Sequence, residues 1–446
     1  MSSKFYSTTI GEQITLQRGF DITKKEQEEG DIPVVSSGGI SSYHNVAKVS
    51  GPGVILGRKG TLGTVFFIEE DYWPHDTTLW VKDFKGNNPS FVYYFFKNMS
   101  KQLKGMDVGA ANPALNRNHV HPLEIKWPRS GVQKSISKIL SSLDNKIKNN
   151  DNINQTLEQM AQALFKNWFI DFEPVKAKIA VLEAGGSRTD ATLAAMTAIT
   201  GKEADTLAVF EREHPEQYAE LKTTAELFPS AMQESEVGEI PEGWSLENYR
   251  TFCEFVQSGG TPKRSEQTYW DEGDIRWLSS GEVRDKIVFD TKEKISEVGL
   301  QNSTAKLWPK YSTVMAMYGA TAGEICLLAN EMSANQACCA LYSEKHPFFI
   351  YFSLCNGAPV IASKASGSAQ QNLNKGIIEN AVFCKPTEGL MEIYNRSING
   401  LMFMWISNVK YNKNLTQLRD TLLPKLLSGE ITLPEAEQAV SEAENV

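Results

Sequence analysis

The side chains of this chain best suited to recognition chemistry sit in two glycine-containing polar loops. Residues 109–117 carry Asn112, Asn116 and Arg117, and residues 367–375 carry Gln370, Gln371, Asn372 and Lys375. Asn and Gln amides can bond an adenine edge in two places, while Arg and Lys reach guanine or phosphate. Glycine lets the backbone approach a ligand closely. Other short segments add Arg58, Lys59, Ser279, Ser280 and Tyr318, and Gly259-Gly260-Thr261-Pro262-Lys263-Arg264 supplies Thr261, Lys263 and Arg264. Singly, these residues have a plainer use: Asn116 and Asn374 can each cap a helix. Together they favour a ligand.

Catalytic chemistry has no comparable support. Gly57-Arg58-Lys59 lacks the spacing of a phosphate-binding loop, and no dinucleotide fingerprint or Gly-x-Ser-x-Gly elbow exists. Asn112-Pro113-Ala114-Leu115 is not the Asn/Asp-Pro-Pro-aromatic motif a methyltransferase needs. Asp107 with Glu124 and Lys126, or Asp76 with Asp83 and Lys85, trace a nuclease pattern only in outline, and neither recurs later. His119-x-His121 is the only close histidine pair. Neither a catalytic residue nor a metal site is expected.

The elements that must position the loops occur twice. Gly30-Asp31-Ile32-Pro33-Val34-Val35-Ser36-Ser37-Gly38 returns 243 residues later as Gly273-Asp274-Ile275-Arg276-Trp277-Leu278-Ser279-Ser280-Gly281. Pro113-Ala114-Leu115-Asn116-Arg117 returns as Gln371-Asn372-Leu373-Asn374-Lys375, and Leu157, Met160, Leu164 and Phe165 return as Leu415, Leu418, Leu422 and Leu423, both at an offset of 258. Three matches in one order predict two copies of one module and a pseudo-two-fold molecule.

Each module reads as short strands, at 32–36, 53–56, 64–68 and 78–81, then at 275–278, 313–317, 323–328 and 337–342. A long helical period follows each. In the first, Ile136, Ile139, Leu143 and Ile147 give way to Ile153, Leu157, Met160, Leu164 and Trp168. The stripe shifts register across an Asn-rich centre, which predicts either a register-fixing polar layer or a kink. The second runs through Leu401, Trp405, Val409, Leu415, Leu418, Leu422 and Leu426, with Gly429 as its stop. Ile139, Leu143, Leu157, Met160, Leu164, Leu401, Trp405, Leu415, Leu418 and Leu422 are the residues expected to pack against a subunit or the other helix. If the helices run antiparallel, they would hold the two globules at opposite ends of a rod.

The expected organisation is therefore α+β: a globule at 1–130, a long helix at 131–172, an acidic helical connector at 173–240, a second globule at 241–386, a second helix at 387–430 and a tail at 431–446. The net charge of −9 is concentrated. Residues 173–242 hold 6 Lys/Arg against 14 Asp/Glu, a net of −8. The remainder is near neutral, so a basic face is possible and a partner could supply further charge. Six cysteines (Cys253, Cys326, Cys338, Cys339, Cys355, Cys384) all lie in the second half, which argues against a duplicated disulfide framework and for reduced thiols in a cytoplasmic protein. No run of 18 apolar residues exists to span a membrane.

These motifs, in this order and duplicated, resemble the DNA-specificity subunit of type I restriction–modification systems. The resemblance rests on the Gly-Asp-Ile strand, Gly259-Gly260-Thr261-Pro262, the Leu-Asn pairs at 115–116 and 373–374, Asn154-Gln155-Thr156-Leu157-Glu158 running into Ala163-Leu164-Phe165, and Leu423-Pro424-Lys425-Leu426-Leu427-Ser428-Gly429. It covers nearly the whole chain and is least diagnostic over the acidic connector. It implies two target-recognition domains, each reading one half of a split double-stranded DNA site, with antiparallel coiled-coil helices as the spacer. It also implies two methylation subunits and two restriction (motor-nuclease) subunits as partners. Those would use S-adenosylmethionine, ATP and Mg, while this chain binds no cofactor. A coiled-coil scaffold without nucleic-acid specificity would explain the helices but not the duplicated polar loops.

Overall fold

The computed structural model describes residues 5–106, 114–364 and 372–444. They divide into two units, Met1–Asn150 with Tyr411–Val446, and Asp151–Lys410. Each unit thus contains one globule and part of each long helix.

In the first unit the central strand Gly53–Gly57 is buried along its whole length. Its continuous apolar run fits a strand covered on both faces. Val54 and Leu56 face a core shared with helix Pro89–Lys104, whereas Ile55 packs with Val35, Ile68, Tyr72 and Trp80. The sheet order is Thr15–Arg18, Thr78–Asp83, Gly53–Gly57, Val65–Ile68, all antiparallel. A second sheet sets Ile32–Ser36 between Gly39–His44 and the parallel Trp73–Pro74. Helix Pro89–Lys104 begins where Asn88 accepts from the Phe91 amide at 2.9 Å, with proline in the first turn. Its Phe91 and Phe95 meet Trp127 edge-on, with ring centroids 5.0 and 4.8 Å apart. Each such buried ring contributes about 1.5–3 kcal/mol relative to exposure.

The second unit repeats this plan. Phe255–Ser258, Cys338–Tyr342, Thr313–Ala316 and Ile325–Leu328 form the antiparallel part of a five-stranded sheet, with Ile287–Val288 added in parallel at the edge. Ile275–Leu278 lies between Glu293–Ile295 and the parallel Ser333–Ala334. Helix Pro347–Ser363 covers the sheet, and its Ser353 bonds the buried Tyr249 hydroxyl at 2.8 Å. The cysteines here pack as apolar side chains, and burial pushes the thiols of Cys338 and Cys339 up to about 12.

The long helices are Ser130–Phe169 and Glu388–Ser428. The first continues through its Asn-rich centre. Its buried and half-buried positions run Ile136, Leu140, Leu143, Ile147, Asn150, Asn154, Leu157, Ala161, Phe165 and Trp168, in steps of three and four. The expected register shift does not occur, because polar Asn150 and Asn154 occupy positions that a hydrophobic count skips. By the same phase Met160 lies outside the helix seam: it is 52% exposed, as Ile153 is 45% exposed, and Ala161 takes the buried place. The other expected packing residues are buried (Ile139, Leu143, Leu157, Trp405, Leu415, Leu422) or half-buried against the cores (Leu164, Leu401, Leu418).

Within the first unit the helices run antiparallel. Asp144 accepts from Arg419 at 2.6 Å, and Asn150 donates to Asn412 at 2.8 Å. Asn412 in turn donates to the Ile147 carbonyl at 3.1 Å. Within the second unit Phe165 and Trp168 both lie against Tyr394. Gly429, at φ +77°, ends the second helix as expected. Beyond it the expected tail is instead helix Leu433–Glu444, whose Ala436 is fully buried in the first unit's core. The acidic connector forms helices Glu173–Glu183, Arg188–Thr200, Ala204–Glu213 and Pro215–Leu227. Buried Lys178 holds the last of these by donating to the Ala225 carbonyl at 3.0 Å and to the Phe228 carbonyl at 2.5 Å. No helix among the described residues is long and apolar enough to cross a membrane.

Candidate nucleic-acid interface

In each unit five chain segments meet beside the main sheet through the same four backbone hydrogen bonds. Gly19 donates to Thr78 and Gly259 to Cys338. His75 donates to Val35 and Asn335 to Leu278. Arg58 donates to Thr77 and Met317 to Ala337, while Leu115 donates to Arg58 and Leu373 to Met317. The distances lie between 2.7 and 3.1 Å. A Cβ on Gly19 would stand 2.1 Å from the His75 carbonyl, and one on Gly259 would stand 2.2 Å from the Asn335 carbonyl. Only glycine permits that approach. The hairpin tip turns at Gly60 in one unit and Gly319 in the other, both with positive φ.

This scaffold presents the polar side chains. In the first unit Arg58 is half-buried and donates to the Asp76 carbonyl oxygen at 3.2 Å, while Arg18 bonds the Asp76 carboxylate at 2.8 Å. Burial pulls the Arg58 guanidinium down, with neighbouring Arg18 acting the same way. Burial pushes the Asp76 carboxyl up, but the Arg18 hydrogen bond and the charges of His75, Arg18 and Lys59 outweigh it, and the group ends below the usual carboxylate range. The Lys59 side chain is exposed and makes no hydrogen bond or ion pair among the described residues. Ser37 ties the neighbouring turn in: its amide donates to Thr77 Oγ1 at 3.2 Å, and its carbonyl accepts from Thr64 Oγ1 at 2.7 Å.

Asn116 and Arg117 are exposed, and Asn116 accepts from the Asn118 amide at 3.0 Å as a helix cap. Its counterpart Asn374 caps likewise, accepting from the Ile377 amide at 2.9 Å. The capping reading of both residues is therefore what the geometry shows. Asn112, Gln370 and Gln371 lie outside the described residues.

In the second unit Tyr318 is 41% exposed at the hairpin tip, and Asn372 is exposed beside it. Lys375 pairs with Glu379 at 3.1 Å. Thr261 hydrogen-bonds Gln336. Lys263 is exposed, whereas Arg264 is engaged by both oxygens of Glu293 and lies 3.8 Å over the Trp270 ring. Ser279 is half-buried in a capping box with Glu282, bonding it at 2.6 Å, and Ser280 opens the short helix that follows. Arg264 and Ser279 thus already have structural partners. Sequence reasoning missed Arg18 and Gln336 and weighed Asp76 only within an outline nuclease pattern. The signal was weak, since only the glycine after Arg18 and after Ser258 marks the equivalence.

A family profile described as "Type I restriction modification DNA specificity domain" matches residues 4–159 and 241–383. The two matched stretches carry the two copies of the scaffold. The chain belongs to this family. It is 33% identical over 348 residues to the type I restriction enzyme HindI specificity subunit of Haemophilus influenzae, covering 76% of this chain and 74% of that protein. It is 25% identical over 355 residues to the MjaIX specificity subunit of Methanocaldococcus jannaschii, covering 77% and 69%. In fold it is similar to the type I restriction–modification S subunit from M. genitalium, with a TM-score of 0.56, 14% identity and coverage of 95% and 96%. This specificity subunit accordingly determines which DNA sequence its restriction–modification system recognises.

Proposed function

We propose that each scaffold copy is a reader, recognising one half of a split duplex DNA site, and that the two long helices set the gap between halves. The observation that carries this is the duplicated scaffold: the same backbone bonds present two sets of polar side chains that differ in identity. A shared frame with different side chains suits one reading mechanism applied to two sequences. The antiparallel helix pairing within the first unit and its Asn150–Asn412 bond suit a spacer of fixed register.

In this reading the subunit contributes recognition and no catalysis. Two methylation subunits would dock on it and modify adenine with S-adenosylmethionine, and two restriction subunits would add ATP- and Mg-dependent cleavage. The chain's near-neutral charge outside the acidic connector supports this division, because partners that wrap the duplex would add phosphate contacts. The setting is the cytoplasm. The test is to map methylated motifs in cells carrying Arg117→Ala or Gln371→Ala. Each variant should relax one half-site and spare the other. Equal loss at both halves would contradict one reader per half-site.

A further inference from the structure

The two readers share a frame but not a charge. At the first, Arg18, Arg58 and Lys59 surround the acidic Asp76, and Arg117 lies two residues beyond Leu115, whose amide bonds the Arg58 carbonyl. By the backbone bonds given above, their counterparts in the second are Ser258, Met317, Tyr318 and Lys375, with Gln336 in place of the acid. Four of the five positions have therefore become neutral; Lys375 is paired with Glu379 as Arg18 is with Asp76, and the exposed Lys263 stands outside these five positions. The surrounding sequence follows the same trend. Residues 1–130 hold 15 Lys/Arg against 13 Asp/Glu, whereas residues 241–386 hold 14 against 16. Residues 107–113 and 365–371 add no Lys or Arg to either side. At the hairpin tip an exposed lysine in one reader is replaced by a 41%-exposed tyrosine ring in the other.

We propose that the readers hold DNA by different physics: the first through cationic contacts, the second through uncharged contacts centred on the Tyr318 ring, laid against a base or sugar. This rests on the half-site reading above. A cation that neutralises a phosphate releases condensed counterions, so its contribution weakens steeply with salt. A ring packed on a base or sugar releases none, so its contribution persists. Two contacts of equal strength are thus distinguishable by salt alone.

The experiment uses the full chain in its restriction–modification complex and a duplex bearing the mapped motif. Equilibrium binding is measured between about 50 and 200 mM salt, a range over which phosphate contacts weaken strongly. Lys59→Gln should reduce the slope of log affinity against log salt by about 1. Tyr318→Ala should weaken binding on the order of tenfold at every salt concentration and leave the slope unchanged. Tyr318→Phe should restore most of that loss. Both side chains are exposed, so neither change empties a core. If Tyr318→Ala flattens the slope as Lys59→Gln does, or if Lys59→Gln weakens binding without changing the slope, the asymmetry is wrong while the half-site reading stands. If neither variant alters binding at any salt, the proposal fails while the half-site reading stands, because that reading is decided by whether one half of the methylated motif changes without the other.

Discussion

Asp144→Ala should destabilise the first unit by about 3 kcal/mol, because that carboxylate joins three elements. It accepts from the Tyr94 hydroxyl at 2.7 Å, on the helix that covers the first reader's sheet. It also accepts from Arg419 at 2.6 Å, on the second long helix. The Arg419 and Asp144 side chains are 13% and 26% exposed, and Tyr94 is 2% exposed. Alanine leaves the guanidinium only Asp420, at 2.7 Å and largely in solvent, and leaves the tyrosine hydroxyl without its acceptor. A lost charge-assisted bond costs about 1.5–3 kcal/mol, and an unsatisfied buried hydroxyl about 1–3. Partial exposure and the surviving Asp420 pair place both near the low end. For a unit of this size each kcal/mol moves the melting temperature by about 2–4 °C, so a fall of about 6–12 °C is expected. Calorimetry of the full chain would record it. Asp144→Asn keeps an acceptor for Tyr94 and should cost roughly half as much. A double-mutant cycle with Arg419→Met should return a coupling of about 2 kcal/mol. A melting shift below about 1 °C for Asp144→Ala, or no coupling in the cycle, would refute this reasoning.

Three further outcomes are expected. Met160→Lys should change stability by less than about 0.5 kcal/mol, while Ala161→Lys, one position on, should cost more than about 3, as chemical denaturation would record; similar costs would mean the seam is misphased. Hydrogen bonds from the Thr432 backbone and side chain hold the Glu435 carboxyl below its ordinary value. A depressed carboxylate adds stability above its unfolded pKa that is lost as pH falls through its folded one, so the last helix should fray in acid, and an NMR titration of Glu435 at its ordinary value would contradict this. Inserting one four-residue turn near Asn150 adds about 6 Å of helix, nearly two base pairs, but rotates the following seam by about 40°; a seven-residue insertion matched in both helices keeps phase and adds about three base pairs. The preferred gap in the DNA site should lengthen while the half-sites stay fixed, and an unchanged gap would show that the helices are not the ruler.

Much of the fold was legible because it was written twice. The strand Ile275–Leu278 and the stop at Gly429 follow directly from period and turn chemistry. The phase of the first long helix did not, since Asn150 and Asn154 occupy half-buried and buried positions that a count of apolar residues passes over. The terminal helix was missed because its buried face is carried by small Ala436 and half-buried Leu433, Ala439 and Val440 among acidic residues. At the site, the loops were visible as composition, but the equivalence of Arg58 with Met317 and of Asp76 with Gln336 was not. Arg58 and Met317 share backbone hydrogen bonds and no side-chain chemistry, Asp76 and Gln336 are matched only through the bonds of their neighbours, and the second hairpin is one residue longer, since Gly57 bonds Thr64 where Ala316 bonds Glu324. Arg264 and Ser279 illustrate the converse, as polar side chains in polar loops whose partners lie within the protein.

The most direct test of the central claim is modification-detecting long-read sequencing of the source cell's DNA, with and without this gene. The account predicts that methyl-adenine disappears at one split motif, two short half-sites around a fixed unspecified gap, and nowhere else. Methylation unchanged at every motif would contradict it.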